Sequence, residues 1–329
     1  MMKEQLIREI CTQMSEKLTE NQMNELQEAL IISFAHVRIE SATPEEAARE
    51  NSDYLNMYLS AKRIEGCSDK TLEYYGATVK KLFNHVIKNV KEINTEDIRA
   101  FLAAHQKLNN ANKVTMDNIR RIVSGFFSWL EDENYIIKSP ARRIKKVKTA
   151  QVIKETFTDE SLEILRSECH NKRDRALIEF LSSTGVRVGE LVQLNRSSID
   201  FVERSCIVYG KGSKEREVYF DAKTKLHLQE YLDSRTDQND ALFVSLKGPH
   251  QRLSISGIEK LLKHLGDLAE VKRVHPHKFR RTLATMAIDK GMPIEQVQHL
   301  LGHMRIDTTM HYAMVNQNNV KISHRKYIG

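Results

Sequence analysis

Apolar residues recur at helical spacing through most of this chain, and one pair of short β-rich runs interrupts the rhythm in its second half. Leu6, Ile10, Met14 and Leu18 share a face of a first predicted helix. Thr19 and Gln22 have the spacing of a capping box, and Met23, Leu26, Leu30 and Phe34 carry the stripe through a second helix ending near residue 39. Ser41 to Ser52 reads as a connector, with a short helix opening at Pro44 as the alternative. Tyr54 to Arg63 forms the next helix, and Ser68 to Thr71 starts another that runs through Tyr75, Val79, Phe83 and Val86. Asn94 to Asp97 caps a helix holding Ile98, Phe101 and Leu102. The last of this group spans Val114 to Leu130 through Ile119, Ile122, Phe126 and Phe127, whose aromatics read as core packing.

Beyond residue 150 the pattern is mixed. Thr158, Asp159 and Glu160 cap a helix, and Asp174 to Leu181 places Ala176, Leu177, Phe180 and Leu181 on one side before Ser183-Thr184-Gly185 ends it. Arg187 starts the following helix, expected to continue through Leu191 and Leu194. Cys206 to Tyr209 and Glu217 to Phe220 read as two strands joined by a turn at Gly210 to Gly212, which puts Lys211 at a hairpin tip. His277 opens a helix after Pro276, with Arg280 one turn on and Leu283, Met286 and Ala287 as its buried stripe. Gly291-Met292-Pro293 ends it, Ile294 to Leu301 is amphipathic, Gly302 stops that helix beside His303, and Thr308 and Thr309 lead to Tyr312. The expected fold class is mainly α with a small β-hairpin in the C-terminal half.

Charge sharpens the division. The chain has 329 residues and a net charge of +7, yet residues 1–50 hold five Lys or Arg against ten Asp or Glu, a balance of −5 that leaves +12 on the remainder. A basic balance on that scale favours a polyanionic partner. No apolar run is long enough to span a membrane, and the N-terminus turns polar too soon for a signal peptide, so a cytoplasmic protein is expected. Cys11, Cys67, Cys169 and Cys206 are scattered without a Cys-x-x-Cys pair, which argues against a disulfide framework or structural zinc. Neither a Gly-rich Walker-type lysine loop nor a paired acidic cluster is present, so neither a nucleotide cofactor nor a catalytic metal is expected.

Six dispersed residues supply the chemistry for cutting and rejoining a phosphodiester without such help: Arg187, Lys211, His277, Arg280, His303 and Tyr312. Transesterification at phosphorus builds charge on the non-bridging oxygens, and two guanidinium forks suit those oxygens from two sides. A tyrosine hydroxyl can store the broken bond as a phosphotyrosine ester. Its free pKa is about 10, so it needs a neighbour to take its proton, and His277 and His303 are the candidates. Lys211, on a hairpin, can reach the departing 5′ oxygen as general acid. Taken singly these residues are ordinary: Glu190 would be a routine helix partner for Arg187.

Order and spacing join them. Ser-Thr-Gly-Val-Arg187-Val-Gly-Glu190-Leu, Tyr-Gly-Lys211-Gly-Ser-Lys-Glu-Arg, His-Pro-His277-Lys-Phe-Arg280-Arg-Thr and Leu-Gly-His303 onward to Tyr312 resemble, in sequence order, the tyrosine recombinases, the phage-type integrases and their chromosomal relatives. Charge and periodicity give an acidic helical N-terminal extension over 1–50, unlike the basic arm-site domain of many element integrases. The resemblance implies a helical core DNA-binding domain over 51–138, a basic interdomain linker over 139–155 and a mixed α/β catalytic domain over 156–329. It implies a site-specific DNA recombinase that integrates, excises or inverts DNA through a 3′-phosphotyrosine and a Holliday junction. The partners implied are duplex DNA with inverted-repeat core sites, three further copies in a homotetramer, and an accessory DNA-bending or directionality factor. His311, just before Tyr312, is an additional imidazole, and the acidic extension sets this chain apart from shorter dimer-resolving relatives. A dimer-resolving recombinase, a type IB topoisomerase relaxing DNA as a monomer and a silent DNA-binding regulator are the alternatives.

Phosphate contacts are expected from Lys70, Thr71 and Tyr74 at the start of one helix and from Lys113, Thr115, Asn118 and Arg121 on another. Arg142, Arg143, Lys145 and Lys146 lie in a stretch with no acidic residue, expected to cross the DNA backbone between the two domains. Lys214 and Arg281 complete the set. The acidic extension is expected to contact protein, and Val320, Ile322 and Tyr327 a neighbouring protomer.

Overall fold

The computed structural model describes residues 2–35, 37, 43–148, 155–210 and 215–302, and the chain divides into two compact units, one up to Gln151 and one from Val152. Among the described residues the regular elements of the first are all helices. α1 (Met2–Met14) and α2 (Glu20–Phe34) form a hairpin whose turn is set by Thr19, whose N–H donates to the Gln22 side chain at 3.0 Å. Lys3 caps the far end of α2 through the Phe34 carbonyl, 2.8 Å away. No residue of α2 is fully buried, and Ile31 and Ile32 are exposed.

α3 runs without a break over Pro44–Ile64, so the expected connector and the helix expected to follow it are one element. Thr43 and Glu46 cap each other and Pro44 supplies the first turn, a start signal strong enough to carry the helix back from Tyr54. Asn51, buried within it, donates to the Lys88 carbonyl at 2.8 Å and accepts from the Val90 N–H at 2.7 Å. α4 (Asp69–His85), α5 (Thr95–Asn109) and α6 (Lys113–Asp132) complete this unit's core. Its centre is aromatic: the Tyr58 ring meets Phe126 at 5.3 Å and Trp129 at 5.5 Å, both from α6. Phe126 and Phe127 are fully buried, each stabilising the unit by about 1.5–3 kcal/mol.

The basic stretch after α6 is fastened to this core rather than hanging free. The Ser139 N–H donates to Glu131, Thr95 donates to the Pro140 carbonyl, and Ala141 is buried. Further on, the Val147 N–H donates at 3.0 Å to Asp117 of α6, which also accepts from Arg120. The backbone bonds fix the path while the cationic side chains face outward.

In the second unit α8 (Lys172–Thr184) is the central post: Ala176, Leu177, Ile178, Phe180 and Leu181 are wholly buried. α7 (Asp159–Ser167), the single turn α9 (Val188–Leu191), α10 (Ala222–Asp233), α11 (Ile255–Leu268), α12 (Pro276–Asp289) and α13 (Ile294–Leu301) surround it. β1 (Ile199–Asp200), β2 (Ser205–Tyr209) and β3 (Glu215–Tyr219) form an antiparallel sheet in that order, with Cys206 opposite Val218 and Val208 opposite Arg216. β1, α10 and α11 were not anticipated from the sequence. α9 stops a turn earlier than expected, because the chain beyond Leu191 is drawn into a bridge pairing Asn195 with Ala241. On α12 the buried positions are Pro276, Lys278, Phe279, Arg280, Thr282 and Ala284, whereas Leu283, Met286 and Ala287 are half-buried. Phe279 packs on Phe157 at 4.7 Å and Thr282 accepts from the Phe157 N–H, which turns that face inward.

Candidate active site

Gly185 ends α8 in the left-handed region at φ 58°, and a Cβ there would lie 2.8 Å from Leu283 of α12. The glycine lets α12 close on the end of α8, and the Gly185 carbonyl accepts from Arg280 at 2.7 Å. Arg187, two residues on, precedes α9 in extended backbone. Its main-chain N–H donates to Glu190 at 2.8 Å, and its guanidinium donates to the other oxygen of the same carboxylate at 2.8 Å.

Both arginines also reach the C-terminal end of α13. A helix end leaves carbonyls without intrahelical partners, and here three guanidinium groups satisfy three in succession. Arg216 donates to the Leu300 carbonyl at 3.2 Å, Arg280 to that of Leu301, and Arg187 to that of Gly302 at 3.1 Å. Gly302 itself lies at φ 62°, with a would-be Cβ 2.8 Å from Arg216 Cδ. Arg280 is only 3% exposed, while the Arg187 side chain is 36% exposed. A guanidinium carries five N–H donors, so the Arg187 bonds to Glu190 and Gly302 leave others for a phosphate.

Glu190 is the anionic centre. Arg216 donates to both its oxygens, at 2.6 and 2.7 Å, in addition to the two bonds from Arg187. Burial pushes its carboxyl up, but the Arg216 fork and the Arg187 N–H outweigh that and hold it below the ordinary carboxylate range. Two buried or half-buried cations thereby share one buried anion.

His277 stands in the first turn of α12, exposed, one turn ahead of Arg280 as expected. Lys211, His303 and Tyr312, with Lys214, lie outside the described residues; of the six expected catalytic residues the structure brings Arg187 and Arg280 together at the end of α13 and places His277 on the same helix as Arg280. Arg281 donates to the Glu155 carbonyl. In the other unit, Lys70 and Tyr74 are exposed at the start of α4, and Thr71 sits 2.9 Å from Ser68. Lys113, Asn118 and Arg121 are exposed on α6, the Thr115 N–H is capped by Asn112, and Arg142, Arg143, Lys145 and Lys146 are exposed. Sequence reading missed Arg216. Its signal was an arginine at an inward-facing strand position, two before the wholly buried Val218. Among the described residues no three potential metal ligands converge, and none of the described helices is long and apolar enough to cross a membrane.

The family model described as the phage integrase family matches residues 142–319, more than half of the chain, and that of its N-terminal SAM-like domain matches residues 54–137. The chain belongs to the phage integrase family, the tyrosine recombinases. It is a tyrosine-type site-specific recombinase, mainly helical with a small antiparallel sheet. Tyrosine recombinase XerC of Leptospira interrogans is 30% identical over 298 residues, covering 86% of this chain and 95% of that protein. Two solved tyrosine recombinases share the fold. The XerH site-specific recombinase bound to its palindromic difH substrate has a TM-score of 0.64 at 19% identity, over 97% of this chain and 93% of that one. A lambda integrase dimer bound to a COC′ core site has a TM-score of 0.65 at 20% identity, over 88% and 85%.

Proposed function

We propose that the chain cuts and rejoins duplex DNA at paired inverted-repeat core sites, in the cytoplasm, with Tyr312 as nucleophile and Arg187 and Arg280 as phosphate ligands. The observation that carries this reading is that both arginines converge on the adjacent carbonyls of Leu301 and Gly302, where the chain leaves α13 toward His303 and Tyr312. The tyrosine oxygen attacks phosphorus, the bond from phosphorus to the 5′ oxygen breaks, and the 3′ phosphate is held as a tyrosine ester. The phenol proton passes to His277 or His303, and the 5′ oxygen takes a proton from Lys211. A 5′ hydroxyl from the partner duplex then attacks the ester and restores both the DNA bond and the tyrosine. Four copies would hold two duplexes through a Holliday junction, with an accessory bending or directionality factor.

The domain assignment goes with this reading. Residues 1–43 form the acidic extension, since α3 begins at Pro44 rather than after residue 50. The core-binding module extends to Lys148, since the basic stretch is bonded to α5 and α6, and the catalytic domain follows. Lys70, Thr71, Tyr74, Lys113, Thr115, Asn118, Arg121, Arg142, Arg143, Lys145, Lys146, Lys214 and Arg281 are proposed phosphate contacts. Integration, excision or inversion of an element is the main reading. Resolution of chromosome dimers is the second, favoured by the alignment to a recombinase named XerC over 95% of that protein's length.

The test is covalent capture. Full-length protein is incubated in EDTA with sheared genomic DNA of its source, and DNA carried with denatured protein is sequenced. A 3′-linked adduct at one recurring site, lost in Tyr312→Phe, is the expected result, and the site's location at an element end or at a single chromosomal position decides between the two readings. Tight binding of DNA with no adduct would leave a DNA-binding regulator instead.

A further inference from the structure

We propose that Arg216 is a positioning residue, fixing the end of α13, the described element that precedes Tyr312 in the sequence, against the arginine that holds the scissile phosphate. The inference rests on Tyr312 as nucleophile and Arg187 as phosphate ligand.

Arg216 lies on β3 in a cross-strand pair with Val208, which is buried, and its own side chain is only 11% exposed. An inward arginine on a strand loses most of its hydration and persists only where its donors are matched. Here all three guanidinium nitrogens have acceptors. Two donate to the two Glu190 oxygens, and Nε donates to the Leu300 carbonyl. Glu190 in turn holds both the main chain and the guanidinium of Arg187. One side chain therefore ties three elements: β3, the turn that presents Arg187, and the end of α13.

The fit extends to the exit of α13. Gly302 turns the chain into left-handed backbone directly against the Arg216 stem, leaving no room for a Cβ. Arg216 is buried and its donors are engaged by protein, so it is poorly placed to contact DNA. What it controls is where the chain beyond Gly302 begins. Lysine could carry the charge but not the geometry, because a single ammonium cannot span both carboxylate oxygens and a helix carbonyl in one plane.

The experiment has two arms. Without DNA, hydrogen exchange is followed over residues 294–302 in wild type, Arg216→Lys and Arg216→Gln. Faster exchange there in both variants, with α8 unchanged, is expected, and unchanged exchange over 294–302 would overturn the proposal. With DNA, the duplex recovered by covalent capture is resynthesised with an ordinary 5′ oxygen or with sulfur bridging at the scissile phosphate. A thiolate departs without needing a proton, so sulfur rescues a missing general acid but not a misplaced nucleophile.

Arg216→Gln is expected to bind the duplex within about twofold of wild type and to form adduct about 100-fold more slowly, the scale of a misplacement near 1 Å, with Arg216→Lys between. Sulfur should restore Lys211→Ala and leave Arg216→Gln slow. Rescue of Arg216→Gln by sulfur would mean that it acts through the proton donor, and a parallel drop in binding would mean a general folding role; either sinks the proposal. If wild type forms no adduct at all, the Tyr312 reading fails instead, and the exchange arm still decides whether Arg216 holds α13.

Discussion

The cations of the two units are held in opposite ways. Arg187, Arg216 and Arg280 are bonded through their guanidinium groups to Glu190 and to the end of α13. Arg142, Arg143, Lys145 and Lys146 are held by their backbone, through Pro140, Ala141 and Val147, and present their charges to solvent. The first arrangement is preorganised, with side chains oriented before a phosphate arrives, as stabilisation of developing charge requires. The second gives charge at a fixed place on exposed side chains, of which Arg142 also meets Glu131 at 3.9 Å, and this suits a phosphate backbone that must be tracked rather than reacted. One basic protein thus contains two kinds of basicity, and they should fail differently.

Arg280→Ala should break the first kind most severely. Adduct formation is expected to fall on the order of 10³-fold, as for loss of one preorganised donor, with a lower melting temperature because the Gly185 and Leu301 carbonyls lose their partner. A rate within tenfold of wild type would mean that Arg280 is architectural only. Glu190→Gln should cost about 3–5 kcal/mol in urea unfolding, the scale of breaking a buried ion pair from one side.

The same carboxylate gives a pH signature. Its folded pKa is depressed, so its contribution is fully present above the unfolded carboxyl value of about 4.3 and is lost as pH falls through the folded value. The stability difference between wild type and Glu190→Gln should be constant near neutrality and shrink below about pH 4. A difference that grows on acidification would contradict the assignment.

The second kind should be softer and additive. Replacing Arg142, Arg143, Lys145 and Lys146 together by alanine should leave unfolding within about 0.5 kcal/mol per site and lower the salt-dependence slope of DNA binding by about one for each phosphate that no longer meets a cation. Asp117→Ala should have the smallest effect on DNA: the Val147 N–H and the Arg120 guanidinium lose their shared acceptor, which lowers unfolding stability and weakens DNA binding a few-fold while adduct formation on saturated DNA is unchanged. Measuring affinity against salt and adduct rate at saturation separates these outcomes.

The sequence spelled out what depends on local pattern. The stripes of α4, α5 and α6, the glycine after α8 and the hairpin around Cys206 and Val218 follow from periodicity and turn chemistry. Arg187, His277 and Arg280 were expected from motif order, and the structure seats all three in one unit. What stayed hidden depends on contacts distant in sequence. Nothing in the neighbourhood of Arg216 announces Leu300, and nothing near Val147 announces Asp117. The connector at Ser41 to Ser52 was misjudged because a polar stretch between two stripes looks like a loop until its cap at Thr43 is given full weight. α9 was read too long because its apolar residues serve a bridge with Ala241 rather than another helical turn.

The three arginine bonds fall on the consecutive carbonyls of Leu300, Leu301 and the capping Gly302, and within the helix successive carbonyls project about 100° apart around the axis. Such an attachment fixes rotation and advance together, as a key fixes a shaft. A residue inserted between Pro293 and Leu300 would swing the helix exit by about 100° and shift it about 1.5 Å, and no side-chain adjustment could restore both. Over its exposed face α13 should therefore accept many changes of residue identity but none of residue number, a counting constraint that deep mutational libraries containing single-codon insertions would register as a sharp gap ending at Gly302.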